Sequence, residues 1–143
     1  MKTLVCLLLF VLPFQWQTDF DTAKKTAGQE HKLILLNFSG SDWCGPCILF
    51  TKEYLGSEDF SQIADKDLVC VNADFPRKSK NKLSAELTKS NEALAERYNK
   101  EGVFPFTLLL DAKGNVIKTW AGKPKETPGE WTSNLKSLIQ SKK

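Results

Sequence analysis

The chain has 143 residues, 41% hydrophobic and 26% charged, the make-up of one ordinary globular domain that buries roughly two-thirds of its unfolded surface. Its net charge of +3, from 20 basic and 17 acidic residues, is too small and too dispersed for nucleic-acid binding, and the lysines lack interleaved aromatic residues. No internal repeat or low-complexity segment divides it, so one folded unit is expected.

Met1-Lys2-Thr3 followed by the apolar run Leu4 to Phe14 has the basic start and short apolar core of an export signal. That run is shorter than the roughly 20 residues needed to span a bilayer. Residues 1–18 are therefore read as a signal peptide and 19–143 as the exported domain, periplasmic or secreted. Nothing between Phe14 and Ala23 forms a clean cleavage site, which keeps an uncleaved N-terminal anchor open as the alternative. Cys6 lies inside the apolar run rather than after it, which argues against a lipid-modified cysteine.

Trp16, Phe20, Ala23 and Ala27 recur at helical spacing and predict an amphipathic helix from about Asp19 to Glu30. Leu33 to Ser39 is an apolar run of strand length. The helix expected after it carries Ile48, Leu49 and Leu55 and stops at Gly56, and Ser57 reads as the next N-cap. Phe60, Ile63 and Ala64 mark a further helical stretch. Leu68 to Asp74 then reads as a strand parallel to the first, completing a βαβ unit. Phe75 to Leu83 is a basic connector read as a solvated loop, with a docking surface for an acidic partner as the alternative. Ser84 caps a helix reaching about Asn99. Phe106 to Asp111 and Val116 to Trp120 are strands joined by a hairpin through Lys113-Gly114-Asn115. Thr127-Pro128-Gly129-Glu130 forms a capping box for a last helix carrying Trp131, Leu135, Leu138 and Ile139.

The chemistry sits at the junction between the first strand and the helix after it, in Trp43-Cys44-Gly45-Pro46-Cys47. Two cysteines at i and i+3 in a helical first turn lie close enough to open and close a disulfide. Unpaired backbone N–H groups at a helix start favour thiolate over thiol, which makes Cys44 the nucleophile; Pro46 suits an early helical position that needs no N–H partner. Cys47, pointing back under the helix, is the resolving thiol. A structural or zinc-binding pair is the alternative, but Cys6, Cys70 and His31 do not stand at ligand spacing, and no metal is expected. Cys70, inside an apolar strand, is expected to be buried and inert, with a third redox thiol as the alternative. His31 is read as a surface residue.

Trp-Cys-Gly-Pro-Cys is the motif of the thioredoxin superfamily. The chain resembles that superfamily over roughly residues 19 to 141, because Val103-Phe104-Pro105-Phe106, Leu108-Leu109-Leu110-Asp111 and the closing amphipathic segment follow in the same order. Asp19-Phe20, Asn37-Phe38-Ser39-Gly40-Ser41-Asp42-Trp43 and Asp74-Phe75-Pro76 resemble more narrowly the exported bacterial thioredoxin-like proteins. The resemblance implies an α/β thioredoxin fold, a central mixed four-stranded sheet built from a βαβ and a ββα unit and flanked by helices. It implies a redox-active Cys44–Cys47 disulfide and a cis peptide bond before Pro105, with Phe104 offering main-chain groups to an extended substrate peptide. Trp43 would shield the disulfide and meet partners, although core packing alone is an alternative role, and Gly45 and Pro46 would shape the site.

Two residues depart from the family pattern. Phe104 stands where threonine or another small residue is more usual. Asn37 stands where many thioredoxins carry a buried acid, and an amide cannot act as a base. Proton transfer from Cys47 then falls to water or to another carboxylate such as Asp42.

Together these readings predict a thiol–disulfide oxidoreductase acting on protein cysteines outside the cytoplasm, leaning toward reductase. It would work as a monomer without an organic cofactor and exchange electrons with a membrane-bound or soluble partner. The alternative is a thioredoxin-fold module that grips or shields cysteine-containing peptides with little turnover.

Overall fold

The computed structural model of the chain describes residues 14–143, so most of the expected export signal, with Cys6, lies outside the described residues. The first helix, α1, spans Phe20–Glu30; Asp19 caps it by accepting the Thr22 N–H at 2.8 Å, and His31 closes it in the left-handed region at φ 55°. Next come β1 (Leu33–Ser39) and α2 (Gly45–Phe50), which widens into a π-helical turn over Thr51–Leu55. One continuous helix to Gly56 was expected; the last turn is instead wound with the longer i→i+5 spacing.

Ser57 caps α3 (Glu58–Asp67) through the Phe60 N–H, a bond worth about 1 kcal/mol. The second strand, β2, spans Leu68–Asp74 and lies parallel to β1, with Leu36 opposite Val71. Ser84 then caps α4 (Ala85–Tyr98), and β3 (Phe106–Leu110) and β4 (Val116–Ala121) form the antiparallel hairpin. Thr127 and Glu130 make the expected reciprocal capping box at the start of α5 (Pro128–Gln140).

The strand order is β2-β1-β3-β4, the expected mixed four-stranded sheet with β1 at its centre. Alternation along the central strands divides the core between two faces. Leu35 and Leu109 face Phe50, Tyr54, Phe60, Trp131 and Leu135 on one side. Ile34, Leu36, Phe38, Leu108 and Leu110 face Phe20, Ala23, Ala27 and Leu94 on the other. With helices on both faces, β1 reads as a continuous apolar run rather than an alternating one.

Trp16 does not continue the α1 stripe. It lies in an extended segment upstream, where its ring stacks on Phe60 with centroids 6.4 Å apart and planes 16° from parallel. Gln17 adds a parallel bridge at the free edge of β2: its N–H donates to the Cys70 carbonyl at 2.8 Å, and its carbonyl accepts the Asn72 N–H at 3.0 Å. Sheet pairing, unavailable to periodicity within one segment, decides its conformation.

Candidate active site

Strand β1 ends at Ser39, and Gly40 to Trp43 turn the chain so that Cys44 becomes the N-cap residue of α2. Cys44 and Cys47 are joined by a disulfide with Cα atoms 5.2 Å apart, and the Cys47 N–H points at Cys44 Sγ at 3.3 Å. Gly45 and Pro46 form the exposed first turn between them. A Cβ at Gly45 would meet nothing within 4 Å, so space alone does not demand glycine there. Both cysteines are covered, Cys44 at 5% exposure and Cys47 at 1%, so Cys44 is the less buried residue of the pair.

Trp43 is half-buried, and its indole Nε1–H donates to the Phe75 carbonyl at 2.7 Å. Phe104 packs edge-on against it, ring centroids 5.5 Å apart, and Phe75 meets Phe104 at the same distance. The peptide bond between Phe104 and Pro105 is cis, as the resemblance implied. Trp43, Phe104 and Phe75 thus form an aromatic trio that begins at the residue before Cys44, while Ile48 and Leu49, 47% and 45% exposed, leave an apolar patch on α2.

Asn37 is 2% exposed and fully engaged in amide chemistry. Its Nδ2 donates to Asn72 Oδ1 at 3.1 Å, and its Oδ1 accepts the Thr107 hydroxyl at 3.0 Å. Three neighbouring strands are pinned through one neutral side chain. Asp42 has a different task from the proton acceptor considered above. Its Oδ1 accepts the Arg77 N–H at 2.9 Å, and its Oδ2 accepts the Lys78 N–H at 2.9 Å and the Asn81 side chain at 3.0 Å. Those donors, the Arg77 amide foremost, hold its carboxyl down at about 2, which leaves it a weak base at neutral pH.

Sequence reasoning missed what this tether does. The connector 75–83 is the solvated loop expected, exposed from Arg77 to Lys82, yet it is anchored: a short 3₁₀ turn at Ser79–Asn81 and the Asp42 bonds fix it, and the Arg77 guanidinium lies 3.6 Å from the Trp43 ring centroid. Gly40 was a readable signal of close packing, because a Cβ there would overlap the Trp43 indole. Cys70 is 1% exposed, and burial pushes its thiol far up, consistent with the expected inert residue. His31 is exposed at the end of α1, the surface residue expected.

A dithiol that closes within one helical turn, its outer sulfur capping the helix, performs thiol–disulfide exchange; the chain is a thiol–disulfide oxidoreductase. A thioredoxin-like family model matches residues 15–112. The chain is 34% identical over 126 residues to the disulfide bond reductase DsbH of Chlamydia pneumoniae, spanning 88% of this chain and 73% of that protein. It is 28% identical over 127 residues to the thioredoxin-related protein DsbJ of the same organism, spanning 88% of this chain but only 35% of that longer protein. A solved structure of a DsbH oxidoreductase superimposes with a TM-score of 0.79 at 32% identity, covering 90% of this chain and 86% of that one. With fold, motif and relatives in agreement, the chain belongs to the thioredoxin-like family.

Proposed function

We propose that this oxidoreductase reduces protein disulfides outside the cytoplasm, with Cys44 as nucleophile and Cys47 as resolving thiol. The observation that carries the reading is the seat of Cys44 at the N-cap of α2, where the Cys47 N–H is aimed at its sulfur. In the reduced protein that donor and the helix dipole favour the Cys44 thiolate. The thiolate attacks one sulfur of a partner disulfide, forming a Cys44–partner bond and releasing the other partner sulfur as a thiolate. Cys47 loses its proton to solvent and attacks Cys44 Sγ. The Cys44–Cys47 disulfide closes, and the second partner thiol leaves. Two electrons have passed to the partner, and a dithiol donor, soluble or membrane-bound, must restore them.

The reductive direction is supported by the Gly45-Pro46 dipeptide, which resembles that of reducing family members, and by the similarity to a protein named a disulfide bond reductase. Trp43, Phe104 and Pro105 would form the surface on which the partner peptide lies. Export is supported by the basic and apolar N-terminal sequence. Insulin reduction with dithiothreitol as donor tests the reading. Catalysis should vanish in Cys44→Ser, and Cys47→Ser should accumulate mixed disulfides through Cys44. A Cys47→Ser protein that traps nothing, beside a wild type that cleaves nothing, would leave only peptide binding.

A further inference from the structure

We propose that the loop 77–82 is a preset carboxylate-binding rim that selects partner cysteines flanked by acidic residues; this rests on the oxidoreductase reading above. The segment Arg77-Lys78-Ser79-Lys80-Asn81-Lys82 carries four cations and no acid, and all six residues are exposed. Cationic loops are common, and what distinguishes this one is where and how firmly it is held.

Asp42, two residues before Cys44, accepts the backbone N–H groups of Arg77 and Lys78 and the Asn81 amide. Trp43 donates its indole N–H to the Phe75 carbonyl, two residues ahead of the loop, so both residues before the nucleophile are tied to the loop or to its entry. The Arg77 guanidinium then lies on the Trp43 ring at 3.6 Å. Stacking uses the face of the guanidinium and leaves its N–H edges for a carboxylate. Among the described residues no ion pair includes Arg77, Lys78, Lys80 or Lys82.

The acids nearby offset only part of the rim's charge: the Asp42 carboxylate stays ionised against the loop and acts on Lys78, which leaves positive charge in excess among the four cations. Both oxygens of Asp42 are bonded into the loop backbone and Asn81, and Asp74 is bonded to the Ser41 N–H and hydroxyl. Glu92, on α4, lines the groove behind Arg77 and Lys82 without pairing to either. A partner peptide entering over Trp43 and Phe104 meets an apolar floor with positive charge along one side. Because the loop is fixed beforehand, little ordering is lost when a carboxylate binds.

Disulfide-linked peptides of one sequence, with aspartate, asparagine or lysine beside the cysteine, test this with the full chain. Each rate is divided by that for dithiothreitol alone, which removes the peptide's own reactivity. Wild type should favour the aspartate peptide over the asparagine one by about three- to tenfold in kcat/KM at low salt, and the lysine peptide should be slowest. The preference should collapse toward unity in Arg77→Gln/Lys78→Gln and at an ionic strength of about 0.5 M. Equal normalised rates for all three peptides would overturn the rim while leaving the oxidoreductase intact, as would a preference that survives both the double substitution and salt. Failure to reduce even the asparagine peptide would overturn both.

Discussion

The Cys47 backbone N–H points at Cys44 Sγ from 3.3 Å, within the first turn of α2. One sulfur therefore sits where a helix start directs its donors, while the other is tucked beneath at 1% exposure. That asymmetry within a four-residue motif gives like side chains unlike surroundings.

Alkylation of the native, reduced protein should follow the same order. Iodoacetamide is expected to label Cys44 first, Cys47 more slowly and Cys70 only after unfolding, because burial disfavours the Cys70 thiolate. Mass spectrometry of timed aliquots reads the order, and early Cys70 labelling would show that β2 is not the closed strand described.

Asn37→Ala removes the amide that joins Asn72 and Thr107 and leaves the buried Thr107 hydroxyl and the half-buried Asn72 Oδ1 without that partner. A loss of about 2 kcal/mol is expected in denaturant unfolding. A loss below about 0.5 kcal/mol would mean that water replaces the amide at no cost.

Trp16→Ala should destabilise the protein by about 2 kcal/mol, through loss of the stack on Phe60 and the contact with Phe14. The change in unfolding midpoint measures it. An unchanged midpoint would place Trp16 outside the cooperative unit and leave residue 19 as the start of the stable domain.

The tether at Asp42 should resist acid. Its carboxyl is held at about 2, below the ordinary unfolded value of about 3.9, so its stabilising contribution is complete above that ordinary value and is lost as pH falls through about 2. The Arg77 and Lys78 amide resonances should titrate with a midpoint near 2 and lose that titration in Asp42→Asn. A midpoint near 4 would show a carboxylate that binds no loop donors.

Much of this molecule was legible in the residues because local rules and tertiary structure agree. Ser57, Ser84 and Thr127 cap the helices they announce, and the apolar run at β1 pairs in parallel with β2 as a strand covered on both faces should. The cysteine pair was readable because the motif and its place after a strand carry the chemistry together. The placement of Trp16 and the anchoring of the solvated loop 75–83 were not legible for one shared reason: both are set by partners distant in sequence, the edge of β2 and the carboxylate of Asp42. The π-helical turn after α2 had no marker in spacing or composition.

The pH dependence of the Cys44 alkylation rate tests the central claim most directly. An apparent pKa well below the ordinary free-cysteine value of about 8.5 is expected. A titration indistinguishable from that of an unstructured cysteine peptide would contradict an activated sulfur at the head of α2.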